Sequence, residues 1–393
     1  MIEKIRGGIA APTGFLCGAA SCGIKNPKAT RDDLALIFSE RPAATAATFT
    51  TNVVKAAPVR VSMEHLKKGK IQAIVLNSGN ANACTGEDGM GTTRRMAASA
   101  AERTGLRPEQ VLVCSTGRIG VPLPVSRIEI GLKKVRLDRK QSLRCARSIM
   151  TSDTFPKEIA CLVETPAGAF RIGGIAKGAG MIDPNMATML CAVTTDAAIP
   201  PAVLCKILRA SVENSFNRIT IDGDMSTNDT VILLANGASG IAPPPDVFLK
   251  ALDAVTQTLA RQIVLDGEGV SKFVEIEMVG ARSARDARRA AEAVANSTLV
   301  KCAWAGGDPN WGRIMDALGY SGAALREEKT AIFYDDLPIV RNGTAADTPW
   351  KNLKAIAARK EFRIKIDLAL GHFSHTVWTT DLTEEYVRLN LGE

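Results

Sequence analysis

Residues 177–195 constrain the fold more than any other stretch: Lys177-Gly-Ala-Gly-Met-Ile-Asp-Pro184, then Asn185-Met-Ala-Thr-Met-Leu-Cys-Ala-Val-Thr-Thr195. The first part packs two glycines and a proline into eight residues, the composition of a tight turn without a regular hydrogen-bond ladder. From Thr188 the text becomes apolar and β-branched, as a buried strand does. The junction puts a threonine hydroxyl at the first position of that strand. Taken alone, it reads either as an ordinary strand-starting threonine after a glycine-rich loop or as a hydroxyl held rigidly at the mouth of a cleft.

The remainder of the chain narrows the class. Its 393 residues are enough for one large or two ordinary domains with an ample core. No apolar run reaches the span of a membrane helix, and Met1-Ile-Glu-Lys-Ile-Arg carries no signal region, so a cytoplasmic protein without membrane contact is expected. The nine cysteines are scattered and never spaced Cys-x-x-Cys, which suits reduced thiols rather than disulfides or a zinc site. Forty-nine basic against 41 acidic residues leave a net charge of +8, a field that favours small anionic substrates. The basic clusters at 133–140 and 282–289 lack interleaved aromatics, so they read as solvated faces and not as nucleic-acid patches.

Periodicity alone gives a mixed α/β chain. Strands are expected at 34–38, 47–54, 72–76, 111–114, 169–176, 188–195, 218–222, 231–235, 273–278 and 362–370. Helices are expected at 89–105, 139–150, 200–216, 283–296 and 351–360, with a long one from the Pro243-Pro-Pro245 breaker through Val264. Asn77-Ser-Gly-Asn-Ala-Asn82 is too polar for a core unless its groups are paired, so it is a hydrogen-bonded turn or a wall of a site. Ser115-Thr-Gly-Arg-Ile-Gly120 ends a buried strand and offers backbone N–H groups to an anion or an oxyanion. Gly223-Asp-Met-Ser-Thr-Asn-Asp-Thr230 carries carboxylates, with Asp222, in no EF-hand order, which reads as a hydrogen-bonded turn and not a metal site. Glu268 stands between two glycines, a solvated loop charge or a binding group. The chain has no Walker run, and Gly178-x-Gly180 lacks a third glycine, so a nucleotide-binding reading has little support.

From Cys22-Gly-Ile-Lys25 to Asn390 the chain resembles the ornithine acetyltransferase family (glutamate N-acetyltransferase of the arginine pathway), most specifically in Lys177-Gly-Ala-Gly-Met-Ile-Asp-Pro-Asn-Met-Ala-Thr-Met-Leu190. The resemblance implies a layered αββα sandwich of the DmpA-like kind. It implies self-cleavage at Ala187–Thr188 into an alpha chain, 1–187, and a beta chain, 188–393, that starts with the nucleophile. It further assigns the oxyanion hole to Thr116 and Gly117. Substrate binding falls to Thr151 (Thr154 as fallback), Lys177, Thr188, Glu268 and Asn390. No cofactor or metal is implied. The partners are N-acetylornithine and glutamate, with acetyl-CoA open as a second donor, and the fragments are expected as a heterotetramer of two alpha and two beta chains. Two departures stand out. The run Thr151-Ser-Asp-Thr154 has serine where the family usually shows threonine, and the chain stops at Leu391-Gly-Glu393, short of a tyrosine and a terminal hydroxyl residue. One substrate contact is therefore expected to be missing or replaced.

A threonine hydroxyl needs a base, and none of His65, His372 and His375 sits in a triad-like setting. A freed N-terminal threonine supplies its own α-amine, with an ordinary pKa of about 7.7–8.0, as base near neutrality. Burial and the Lys177 ammonium would both lower that value. The competing enzyme reading is a self-processing N-terminal-nucleophile amidohydrolase or aminopeptidase that gives its acyl group to water.

Overall fold

A computed structural model of the chain describes residues 1–183 and 189–391. Ala187 and Thr188, which form the expected cleavage bond, lie outside the described residues, as does Glu393. The chain forms two compact units. The first takes Met1–Met181, Asn185–Asn217 and Met225–Ile263; the second takes Ile182–Pro184, Arg218–Asp224 and Val264–Glu393.

The strands of the first unit are β1 (Ile2–Ile5), β2 (Phe15–Ala20), β3 (Leu34–Ser39), β4 (Ala44–Phe49), β5 (Ala73–Asn77), β6 (Val111–Ser115), β7 (Lys157–Thr165), β8 (Gly168–Lys177), β9 (Leu190–Thr195) and β10 (Thr230–Ala235). They make a six-stranded sheet, β1-β7-β8-β9-β10-β4, and a four-stranded sheet, β2-β3-β5-β6. The helices are α1 (Ala57–Lys68), α2 (Gly86–Thr104), α3 (Val125–Lys134), α4 (Ser142–Ser148), α5 (Pro201–Glu213) and α6 (Pro245–Leu265). Period-two side chains explain the layering. On one face of the small sheet Ile37, Leu76 and Cys114 share an apolar cluster with Ile175, Ala192 and Ile232 of the large sheet. The opposite face packs Leu36, Val75 and Val113 on Met96, Ile128 and Leu132 of α2 and α3. Phe170 of the large sheet meets Phe248 of α6, ring centroids 5.9 Å apart. The order helix, sheet, sheet, helix is the expected αββα sandwich.

The second unit holds β11 (Phe273–Ala281), β12 (Ala331–Tyr334), β13 (Leu337–Arg341), β14 (Thr344–Ala345), β15 (Glu361–Asp367) and β16 (Phe373–Thr380) in the order β14-β13-β12-β15-β11-β16. Helices α7 (Ala284–Asn296), α8 (Thr298–Ala305), α9 (Trp311–Tyr320), α10 (Trp350–Ala357) and α11 (Glu384–Leu389) belong to it. Its core joins Ile276 and Ile364 of the sheet to Ala291 and Val294 of α7 and Trp304 of α8.

Some expected elements differ. The strand expected at 47–54 ends at Phe49, because the Thr50 hydroxyl accepts the Asn52 N–H at 3.1 Å and the Asn52 side chain accepts the Val54 N–H at 2.9 Å. Such local side-chain bonds compete with a ladder. Residues 218–222 form no strand, only a single bridge from Ile219 to Trp378, and the Asp222 carboxylate takes the Ile182 N–H at 2.8 Å. Trp311 and Arg313 open α9, where the Asn310 side chain caps the Arg313 N–H at 3.2 Å.

Candidate active site

β8 delivers Lys177 to a buried end of the large sheet, and β7 starts opposite it, with Lys157 in register with Ala176. Two lysine stems thus arrive together, a costly arrangement without a carboxylate. Asp153 supplies it. Its carboxylate accepts Lys157 Nζ at 2.7 Å, the Gly178 N–H at 2.7 Å and the Thr151 N–H at 2.9 Å, with Lys177 Nζ at 4.0 Å. Burial alone would raise this acid, but the charges of Lys177 and Lys157 and the Gly178 bond outweigh it and hold the carboxyl at about 2. Thr151 is therefore tied through its backbone to the group that faces Lys177, while Thr154 is exposed.

β5 and β6 run parallel and end together at Asn77 and Ser115. The amide run that follows is fully employed. Ser115 donates its hydroxyl to Asn77 Oδ1 at 2.6 Å, Asn77 Nδ2 donates to Asn80 O at 2.9 Å, and Asn82 Nδ2 donates to Thr93 Oγ1 at 2.8 Å. The Thr116 N–H is spent on Asn77 O at 3.0 Å, so the donor Thr116 retains for another group is its hydroxyl. Gly117 sits at φ +128°, and a Cβ there would lie 2.4 Å from Gly79 C and 2.5 Å from Asn80 N. Only glycine suits that backbone and that approach.

Two adjacent residues before β10 join these pieces. Asn228 Nδ2 donates to Ala81 O at 2.7 Å and to Ser115 O at 2.8 Å. Asp229 Oδ1 accepts the Met189 N–H at 2.9 Å, and the Thr230 N–H returns to Met189 O at 3.1 Å. Asp229 is fully buried, and among the described residues no hydrogen bond engages its Oδ2. Burial pushes its carboxyl well above the usual range, against the Met189 bond and the Lys177 charge. The sequence reading gave no site role to Asp153, Lys157 or Asn228, and placed Asp229 only in a hydrogen-bonded turn. An acid directly before a wholly buried strand was the available signal for the last.

In the second unit the two remaining candidates meet. Asn390 Nδ2 donates to Glu268 Oε2 at 2.9 Å and to Tyr386 O at 2.9 Å. The Tyr386 hydroxyl donates to Asp222 Oδ2 at 3.2 Å, so Asp222 serves a hydrogen-bond network, as the turn reading expected. Asp381 fixes the loop after Glu268 by accepting the Ser271 N–H at 2.9 Å and the Lys272 N–H at 3.0 Å. Ile182 and Asp183 belong here as well: Asn296 Nδ2 donates to Asp183 Oδ1 at 3.1 Å, and burial pushes the Asp183 carboxyl up to about 6 despite that bond.

The fold and site define a layered α/β protein whose polar groups gather where β6, β8 and β9 end or begin. The chain matches the ArgJ family over residues 16–392 and belongs to it. It is 49% identical over 387 residues to the arginine biosynthesis bifunctional protein ArgJ of Geobacter sulfurreducens, covering 96% of this chain and 98% of that protein. The protein of the same name from Symbiobacterium thermophilum is 45% identical, with 99% of each chain covered. The crystal structure of the Bacillus halodurans protein matches with TM-score 0.49 and 36% identity, over 51% of this chain and 97% of that one.

Proposed function

We propose that the chain is a self-processing acyltransferase of arginine biosynthesis, moving acetyl from N2-acetyl-L-ornithine to L-glutamate through an acetyl-threonine at Thr188. The family and the names of its relatives support the pathway. The observation that carries the site is the Asn228–Asp229 pair, which holds Ser115 O on one side and the Met189 N–H on the other. The residue before Thr116 and the residue after Thr188 thus hang on neighbouring positions just before β10.

Processing begins as the Thr188 hydroxyl adds to the Ala187 carbonyl. The amide nitrogen leaves as the Thr188 amine, and water hydrolyses the resulting ester to leave the Ala187 carboxylate. That amine then takes the hydroxyl proton as Thr188 attacks the acetyl carbonyl of the donor. The Thr116 hydroxyl and the Gly117 N–H stabilise the oxyanion. Ornithine leaves with the proton, and the glutamate amine attacks the ester to give N-acetylglutamate. Lys177, Thr151, Glu268 and Asn390 bind the amino-acid ends, and acetyl-CoA as a second donor accords with the word bifunctional in the relatives' names.

The chains 1–187 and 188–393 stay associated on this reading, because β8 and β9 pair antiparallel from Ile172↔Thr195 to Lys177↔Leu190. A cytoplasmic assembly of two alpha and two beta chains belongs to the same reading. Intact mass tests it beside Thr188→Ala. The parent should give two fragments split at Ala187–Thr188 and the variant one chain; uncut parent protein would remove the free amine and with it the mechanism. Acetyl release without glutamate, at the same rate as with it, would identify a hydrolase instead.

A further inference from the structure

Asp229 has a hydrogen-bonding capacity that the fold does not consume. It stands one residue before β10, which pairs in parallel with β9 from Thr230↔Leu190 onward. There its Oδ1 takes the Met189 N–H at 2.9 Å, and its carbonyl accepts the Thr50 N–H at 2.9 Å, so backbone and carboxyl plane are both fixed. Oδ2 is buried with no hydrogen bond among the described residues. The Thr50 hydroxyl, close by, donates its proton to Ser226 O at 2.7 Å instead. A buried carboxylate oxygen with no donor is costly, whereas a carboxylic acid carries its own O–H and is itself a donor. Burial outweighs the Met189 bond and the Lys177 charge and favours that neutral acid. Three bonds join the Met189 nitrogen to the Thr188 α-nitrogen, a contour of about 4.3 Å. The acid is thus tethered one residue from the nitrogen that leaves when the Ala187–Thr188 bond breaks. An amide nitrogen leaves readily only when it gains a proton.

We propose that Asp229 gives the proton on its Oδ2 to the Thr188 nitrogen during self-cleavage. The bond from the Thr188 hydroxyl oxygen to the Ala187 carbonyl carbon forms, and the Ala187–Thr188 C–N bond breaks. The Asp229 proton goes to the nitrogen, and the proton shed by the hydroxyl restores the acid. One O–H is exchanged for one N–H, and Asp229 ends unchanged. The other acid close to this point is the Lys177 ammonium, whose Nζ faces the Asp153 carboxylate at 4.0 Å. An ammonium beside a carboxylate gives up its proton less readily. The step presupposes the self-processing proposed above and names its proton donor.

Cell-free synthesis of the full chain, followed over time by intact mass, tests it in the parent, Asp229→Asn and Thr188→Ala. Asparagine keeps the shape and the oxygen that accepts the Met189 N–H, but it is no acid. The parent should cut, and Asp229→Asn should cut at least about 10²-fold more slowly, the scale of one lost general acid. Uncut Asp229→Asn should unfold at the same denaturant concentration as Thr188→Ala. Hydroxylamine, which cleaves esters at neutral pH, should not break Asp229→Asn after Ala187, because no ester has formed. The proposal is overturned if Asp229→Asn cuts at the parental rate. It is equally overturned if that variant unfolds at clearly lower denaturant than Thr188→Ala, the mark of a scaffold residue. Hydroxylamine fragments broken after Ala187 would also overturn it, since the acyl shift would then proceed without the acid. A parent that stays whole, as Thr188→Ala does, removes the self-processing reading and the step together. A parent that cuts beside an Asp229→Asn that cuts as fast removes only the step.

Discussion

The two units hold their charged groups in opposite ways. In the first, Asp153 lies buried between two lysines and accepts two backbone N–H groups besides. In the second, Glu268 is half-buried and receives the amide of Asn390, itself exposed, in the same segment that fixes its neighbours. Buried lysines show the same contrast. Lys157 has a carboxylate at 2.7 Å, whereas among the described residues Lys301 donates to threonine oxygens, Thr379 Oγ1 at 3.0 Å, Thr380 O at 2.5 Å and Thr380 Oγ1 at 3.2 Å. A residue whose bonding capacity is consumed by the fold positions others, and one whose capacity is left open is available to a ligand. Asp153 is of the first kind and Glu268 of the second.

The largest effect that could break this contrast is at Asp153. Asp153→Ala leaves Lys157 buried beside an uncompensated cavity, and loss of one partner of a buried pair costs about 3–5 kcal/mol. Denaturant unfolding of the uncut Thr188→Ala background would show it without fragment dissociation. A loss below about 1 kcal/mol would mean that Asp153 is no scaffold. Next is Thr116, whose hydroxyl is assigned to the transition state. Thr116→Val should lower kcat by about 10²-fold or more, the scale of one lost oxyanion donor, with little change in unfolding. A variant that loses stability and keeps its kcat would make Thr116 structural.

Much of this was legible in the text. Strands ending in Asn77, Ser115 and Lys177 were marked by apolar runs that stop at small polar residues, and Gly105, at φ +68°, ends α2 as a glycine should. What could not be read was pairing at a distance. Asp153 meets Lys177 from 24 positions away in the chain, and Asn228 meets Ala81 from 147 positions away. Nothing local distinguishes Asp153 from its hydroxyl neighbours, because the lysines that define its role arrive on β7 and β8 only after the strands pair. The missed break at 218–222 has the same origin, since the Asp222 carboxylate is claimed by Ile182 from another segment.

A smaller effect sharpens the open side of the contrast. Glu268→Gln keeps the shape and the acceptor for Asn390, so unfolding should move by less than about 0.5 kcal/mol. The KM of an amino-acid substrate should still rise roughly tenfold, the scale of one charge-assisted bond. If KM holds and stability falls, Glu268 belongs with Asp153 as scaffold.

The smallest effect, and the most selective, concerns pH. Burial drives Lys301 down to about 7 against the pull of Asp381 and Asp222. A base whose pKa is lowered on folding binds fewer protons folded than unfolded between about 7 and its ordinary value of 10.5. The unfolded state holds the excess proton there, so this group makes stability rise with pH from about 7 upward and is silent below. Other groups titrate in the same window, so the quantity to measure is the parent's stability minus that of Lys301→Met, which keeps the stem and removes the amine. That difference should climb as pH goes from 7 to 10 and stay flat from 5 to 6. A difference that stayed flat from pH 7 to 10 would mean that burial among threonine oxygens does not depress the Lys301 ammonium, and the contrast between the two units would rest on hydrogen bonding alone.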